Sequence, residues 1–244
     1  EDLKIVKEDP EKRRKFIDRE LCQIRAGYLS DLNDYRRILK QRNTYLKEER
    51  INEGLLDVWD RQLAECGSRL VKKRKEFIEK TDKISGEIHS LITGGKEKLN
   101  LKYEPSVYFE EKMEEGFCRL LHEFREDDIR NGTTGRGPHR DDFRISADGI
   151  DLRRFGSQGQ QRTAALSLKL SEIRIIEDEK GEKPILLLDD VLSELDNERQ
   201  LYLINSLGEN QMFITTTDLI GKVARNLPEG KIFKISNGEV EIEI

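Results

Sequence analysis

The stretch "KPILLLDDVLSELD", Lys183–Asp196, decides how this chain is read. Four apolar residues, Ile185 to Leu188, run into two adjacent carboxylates, Asp189 and Asp190. A run apolar on both faces is what the middle strand of a parallel sheet needs, because helices cover it above and below. A strand end carrying two carboxylates can present one to the water shell of a magnesium ion and the other to an attacking water. Such a strand normally works with a glycine-rich phosphate loop ending in Gly-Lys-Ser/Thr. No such loop occurs in the 244 residues. Taken alone, the run is explained equally well as a buried strand that ends in an acidic turn.

The neighbouring segments weigh on this choice. Upstream, "FGSQGQQR" (Phe155–Arg162) opens a helix of about Ser157 to Glu177. Ser157 followed by Gln160 is a capping box, which accounts for a helix start without any ligand. A helix start beside a glycine is also an anion site, since its free N–H groups and dipole favour phosphate. The same atoms can do both. Before it, "FRISADGIDLRRF" alternates on either side of the turn pair Asp148-Gly149 and predicts a hairpin. After the aspartates come a helix from Asn197 to Leu207, a strand in "QMFITTT" and a hairpin around Asn237-Gly238. Strands alternating with helices predict an α/β layer.

The first half has a different period. Asp9 and Pro10 form an N-cap and first-turn pair. Tyr28, Leu32, Tyr35, Leu39 and Leu46 follow a coiled-coil seam that Arg42 interrupts. After a break at Ile51–Gly54, Leu56, Leu63, Leu70, Phe77, Ile84 and Leu91 recur every seven residues, with a polar back. The expectation is an antiparallel helical hairpin, its second helix about 60 Å long, standing as an arm. Gly94 and Gly95 stop that helix, Leu99–Tyr103 reads as a strand, and a helix is expected from about Ser106 to Ile129. The expected organisation is a helical arm over residues 1–105 and an α/β lobe over 106–244.

Charged residues make up 38% of the chain and the hydrophobic set 35%, which suits long solvated helices with a modest core. The net charge of −5 offers no global attraction to nucleic acid or an anionic membrane, so any DNA contact must come from local patches. Three scattered cysteines, without CxxC spacing, point to a reducing cytosol, and no run reaches membrane-spanning length. His89, His122 and His139 lack metal-ligand spacing.

The order of signature helix, aspartate strand, "SELD" and "TTTD" resembles the C-terminal part of an ABC-type ATPase head, a P-loop NTPase-like sheet with flanking helices, here with an inserted antiparallel helical arm. The resemblance implies ATP and Mg²⁺ as cofactors. Ser157, Gln158, Gly159 and Gln160 resemble the signature motif that caps the γ-phosphate held by an opposite subunit. Asp189 would help hold Mg²⁺ through water, and Asp190 would sit where the catalytic acid polarises the attacking water. Asp196 falls in the D-loop at the dimer interface. Thr217 or Asp218 falls where a switch histidine is usual; no histidine stands there.

"GPHRDD" (Gly137–Asp142), "LLLDDVLSELD" (Leu186–Asp196) and the opening "EDLKIVKEDPEKRRKFIDRELCQI" narrow the resemblance to the RecF family of bacterial recombination mediators, related to SMC heads. That implies ATP-driven homodimers on double-stranded DNA and single/double-strand junctions, weak ATP hydrolysis, a RecR-type partner and help in loading recombinase at gaps, in the cytoplasm at the nucleoid. The phosphate loop would then lie in an N-terminal lobe outside this chain, and the fragment alone would be inactive. Two alternatives remain: an SMC-like or other ABC-type DNA ATPase, and a non-enzymatic docking module for a partner such as RecR.

Basic runs are the other candidates. "KRRK" (Lys12–Lys15), "KKRK" (Lys72–Lys75) and Arg36, Arg37, Lys40 and Arg42 can grip DNA phosphates or form the solvated faces of charged helices. In GPHRDD the residues can clasp one another, or Arg136 or Arg140 can reach phosphate.

Overall fold

The helix start expected at Pro10 is realised, and the polar positions within the heptads of the helical half decide where it packs. The computed structural model describes residues 3–194, 197–207, 210–217, 230–236 and 238–243. A short α1 (Leu3–Lys7) leads into α2 (Pro10–Ile24), with Pro10 in the first turn and Asp9 at the N-cap position. The Asp9 carboxylate makes no cap; it accepts from Arg153 at 2.6 Å. Then come α3 (Tyr28–Tyr45) and α4 (Glu53–Ile92), 40 residues long and capped where Asn52 accepts from the Leu55 N–H at 3.1 Å.

Along α4 the seven-residue row holds at first: Leu56, Leu63, Leu70 and Phe77 are buried. It then drifts to Ile78, Thr81, Ser85 and Ile88, and Leu91 is 61% exposed. A straight helix drifts by about 20° per heptad against a seven-residue repeat, so a row kept for five heptads leaves any single interface. The helix accordingly packs against α3 and also against three elements that follow it: β1 (Leu99–Glu104), α5 (Met113–Glu123) and α8 (Gln158–Lys180). It is a spine buried on several faces, not an arm with one seam and a polar back.

The single helix expected over 106–129 is two: α5, and α6 (Arg125–Asn131). Lys112, in the left-handed region at φ 49°, delays the start, and Phe124 at φ −97°, ψ 17° breaks the run. The strand β2 (Asp142–Ala147) pairs antiparallel with β1, and β3 (Ile150–Asp151) follows through the expected turn. Asp148 and Gly149 both have positive φ there, 49° and 80°, as a two-residue hairpin turn requires. The second hairpin strand is only two residues long. Asp151 then caps α7 (Leu152–Phe155) by accepting from the Arg153 and Arg154 N–H groups.

A second set of strands follows. β4 (Leu186–Asp189) and β5 (Met212–Thr215) pair in parallel, with α9 (Asn197–Leu207) between them in sequence. β6 (Ile232–Ser236) and β7 (Glu239–Glu243) make the terminal hairpin, with Gly238 at φ 83°. The contacts divide the chain into compact units Glu1–Lys180 and Gly181–Ile244, whereas the sequence reading drew a boundary near 105. The first unit extends past 105 because α4 buries its faces against β1, α5 and α8.

Candidate functional site

The start of α8 is built by reciprocal capping. Gln160 N–H donates to Ser157 Oγ at 3.2 Å, and Ser157 N–H donates to Gln160 Oε1 at 3.0 Å. The first intrahelical bond runs from Gln161 N–H to Ser157 O at 3.0 Å, so the amides of Gln158 and Gly159 lie ahead of the ladder. Ser157, Gln158 and Gly159 are exposed. A Cβ on Gly159 would meet nothing nearer than Ser157 Oγ at 3.9 Å. Among the described residues, no packing therefore requires glycine there. The bare backbone leaves room for close approach by a phosphate, and the residues fit such a group.

In the second unit, the parallel register sets Asp189 beside Thr215, and Thr215 Oγ1 donates to Asp189 Oδ1 at 2.5 Å. The Asp190 N–H lies 3.1 Å from Thr215 O and 3.2 Å from Thr215 Oγ1. Asp190 has φ 52°, in the left-handed region that aspartate visits more readily than most residues. Both carboxylates are exposed, and their oxygen chemistry suits magnesium. Thr217 is also exposed, but the threonine that meets Asp189 is Thr215. Sequence reading missed Thr215; the signal was the equal distance of Asp189 and Thr215 from their strand starts. Asp196 and Asp218 lie outside the described residues.

β4 is, among the described residues, covered on one face. Among the described residues it pairs with β5 alone; Leu186 is buried, while Ile185, Leu187 and Phe213 are 62%, 76% and 57% exposed. Leu187 and Phe213 are register partners, so the exposed apolar residues share one face.

The GPHRDD loop is a clasp, though its partners lie far away in sequence. Asp141 accepts from Tyr103 Oη, from the Ser106 N–H at 2.8 Å and from Arg74 Nη1 at 3.3 Å. Asp142 takes both arms of Arg13, at 2.6 and 2.8 Å. His139 Nε2–H donates to Thr134 O at 2.9 Å, and Nδ1 accepts from Tyr35 Oη at 2.7 Å. Burial pushes the His139 imidazole down to about 4, which keeps the ring neutral, and the Thr134 carbonyl, which can only accept, fixes that tautomer. Burial also raises the Asp141 carboxyl, against the pull of Arg74. Gly137, at φ 131°, passes so close to the Tyr35 hydroxyl that a Cβ would collide with it. Of the two arginines considered for phosphate, Arg136 lies 3.6 Å over the Phe124 ring and Arg140 is exposed.

The basic runs are partly internal. Arg13, Arg42 and Arg74 are 3%, 0% and 2% exposed, which removes them from any DNA-contacting face. Arg42 bonds Asp60 and Asp128, both at 2.7 Å, and Arg74 bonds Asp18 at 2.8 Å. Lys73 bonds Asp31, Lys15 bonds Glu11 and Arg37 bonds Asp34.

A helix entered through a capped glycine-rich start and a parallel strand ending in paired aspartates, in this order, define the class: the chain has the fold of an ABC-type ATPase head. An Smc head domain with an extended coiled coil from Pyrococcus furiosus, 14% identical over 98% of this chain and 58% of that one (TM-score 0.53), shares the fold. No protein-family model matches the chain. It is 48% identical over 248 residues to the DNA replication and repair protein RecF of Agathobacter rectalis, covering 99% of this chain and 66% of the relative. It is 44% identical to RecF of Clostridium perfringens, covering 99% and 67%. The structure of the recombination mediator protein RecF-ATP in the RecFOR pathway superposes with a TM-score of 0.85 at 39% identity, over 100% of this chain and 65% of that one. The chain belongs to the RecF family, and it spans about two thirds of the length of the relatives it matches.

Proposed function

We propose that the chain is the signature and aspartate-strand part of an ATP-dependent, DNA-binding mediator of recombinational gap repair. Ser157, Gln158 and Gly159 contact the γ-phosphate of ATP held by a partner copy, so that ATP drives homodimerisation. Asp189 holds Mg²⁺ through its water shell, and Asp190 polarises the attacking water. Bound magnesium would supply charge neutralisation at the transferring phosphate. Asp196 and Thr217 stay in this reading as the D-loop and switch positions. The phosphate loop is contributed by residues outside the chain, which would also cover the exposed apolar face of Ile185, Leu187 and Phe213. Duplex DNA and single/double-strand junctions are the nucleic-acid substrates, a RecR-type protein is the partner, and loading of recombinase is the outcome.

The observation that carries this reading is the strand end itself: Asp189 held by Thr215, followed by Asp190 at a left-handed φ, in a chain of this family. In the full-length protein, Asp190→Asn should abolish hydrolysis and preserve nucleotide-stabilised dimers. Unchanged hydrolysis would refute the assignment. A docking module without ATPase chemistry would be indifferent to the substitution. Calorimetry of Mg²⁺-ATP with the 244-residue chain should show no binding; tight stoichiometric binding would contradict a site completed from outside.

A further inference from the structure

Behind the start of α8 runs a polar ring that begins and ends in the signature residues. Gln160 caps the Ser157 N–H with Oε1, and the other end of the same amide, Nε2, donates to Glu97 Oε1 at 3.1 Å. Glu97 Oε2 lies 3.3 Å from His89 Nε2 on α4, and His89 Nδ1 lies 3.1 Å from Ser167 Oγ, back on α8. Ser167 Oγ donates to Thr163 O at 2.8 Å, and Thr163 Oγ1 donates to Gly159 O at 2.9 Å. His89, Thr163 and Ser167 are each 0% exposed.

This arrangement is costly unless it sets something. Polar groups buried in a helix seam, here beside Ile88, Ala164 and Leu168, stabilise no better than apolar packing and demand full pairing. A closed network holds one geometry. The geometry held here is the orientation of the Gln160 amide. A carboxylate can only accept, so Glu97 forces the NH₂ of Gln160 toward itself and the carbonyl oxygen toward the Ser157 N–H. With the amide reversed, NH₂ would face N–H and the cap would open. The Gly159 carbonyl is tied at the same time through Thr163, so both residues flanking Gln158 are fixed from within the fold.

We propose that Glu97 and His89 are positioning residues that lock the signature residues Ser157 to Gln160 in their phosphate-contacting conformation; the proposal rests on the nucleotide reading given above. Neither residue lies in a motif. Both act through Gln160, and Glu97 is the point where the α4–β1 connection meets the start of α8.

The test uses the full-length protein and reads ATP-driven self-association by sedimentation, together with the affinity of the protomer for ATP. Glu97→Ala should weaken association by about tenfold or more and leave protomer affinity within about threefold. Glu97→Gln retains an acceptor for Gln160 but can also donate, so it no longer dictates the amide orientation and should fall between the parent and Glu97→Ala. In a double-mutant cycle, adding Glu97→Ala to Gln160→Ala should cost less than about twofold, because the link is already gone. Additive losses would overturn the proposal, as would a Glu97→Gln variant as defective as Glu97→Ala. If Glu97→Ala does not fold, Glu97→Asp, which keeps the charge and shortens the reach, should show the same loss; normal association would refute the idea. Ser157→Ala separates the two readings. Impaired Ser157→Ala beside normal Glu97→Ala sinks the positioning role alone, whereas normal Ser157→Ala removes the nucleotide role of α8.

Discussion

Thr215 Oγ1 donates to Asp189 Oδ1 at 2.5 Å between register partners of the parallel pair β4 and β5. One hydroxyl thus holds the carboxylate assigned to the magnesium shell, and the same residue's backbone oxygen anchors the Asp190 N–H. Removing such an outer partner typically costs about 10–100-fold in metal affinity or activity. Thr215→Val keeps the β-branched shape and loses the donor; in the full-length protein it should lower Mg²⁺-dependent ATP hydrolysis by about tenfold. Thr215→Ser should restore most of it. Equal rates for Val and Thr would show that Asp189 needs no such support.

Arg42 offers a test of the buried ion network. It is 0% exposed and bonds Asp60 and Asp128, while Asp60 also takes Arg125 at 2.7 Å. Arg42→Met would leave two buried carboxylates short of a partner, a loss on the order of 3–5 kcal/mol. Urea unfolding should show the midpoint fall steeply, with Lys40→Ala, on the exposed side of the same helix, nearly silent. A small loss for Arg42→Met would mean the site relaxes to admit water.

His139 makes the GPHRDD clasp sensitive to acid. Its value of about 4 in the fold lies below the ordinary 6.5, so between these values the unfolded chain binds more protons than the folded one. The stabilisation is complete above pH 6.5 and is lost as pH falls toward 4, by roughly 3 kcal/mol in all. In denaturant titrations from pH 7 to 4.5, His139→Gln should show a visibly shallower decline. An unchanged slope would assign the acid sensitivity to other groups.

Glu172 works in the opposite sense. Burial, then the nearby Glu20, raises its carboxyl from 4.5 to about 8, and its Oε1 is buried with no hydrogen-bond partner among the described residues. The folded state therefore holds the extra proton between these values, and stability declines as pH rises through them. Glu172→Gln should flatten that decline and stabilise the protein at pH 8.5 by roughly 1 kcal/mol or more. A destabilised variant at that pH would show that the ion pair with Lys169, at 2.9 Å, outweighs the burial of the carboxylate.

Legibility in the sequence followed the range of the interactions. The Asp148-Gly149 turn, the Ser157–Gln160 box, the Asn52 region and the α9 span were readable because each depends on residues within a few positions of one another. The aspartate strand was readable for the same reason. Arg42 and Arg74 were not. In sequence they look like breaks in a seam or members of a basic run, and only Asp60, Asp128, Asp18 and Asp141, brought in by folding, make them core residues. The break between α5 and α6 escaped for lack of any proline or glycine to mark it.

By itself the sequence determined the α/β class, the starts of α2, α8 and α9, the order of capped helix and aspartate strand, and, with GPHRDD and the opening segment, the family. Local backbone preferences and side-chain capping act over one or two turns and are written in neighbouring residues. Tertiary structure alone decided that α4 is a buried spine, that Thr215 holds Asp189, that GPHRDD clasps distant arginines and tyrosines, and that Glu97 governs the Gln160 amide. Each of these depends on which polar groups lose water together, and a buried charge or amide takes its role from the partner that replaces that water.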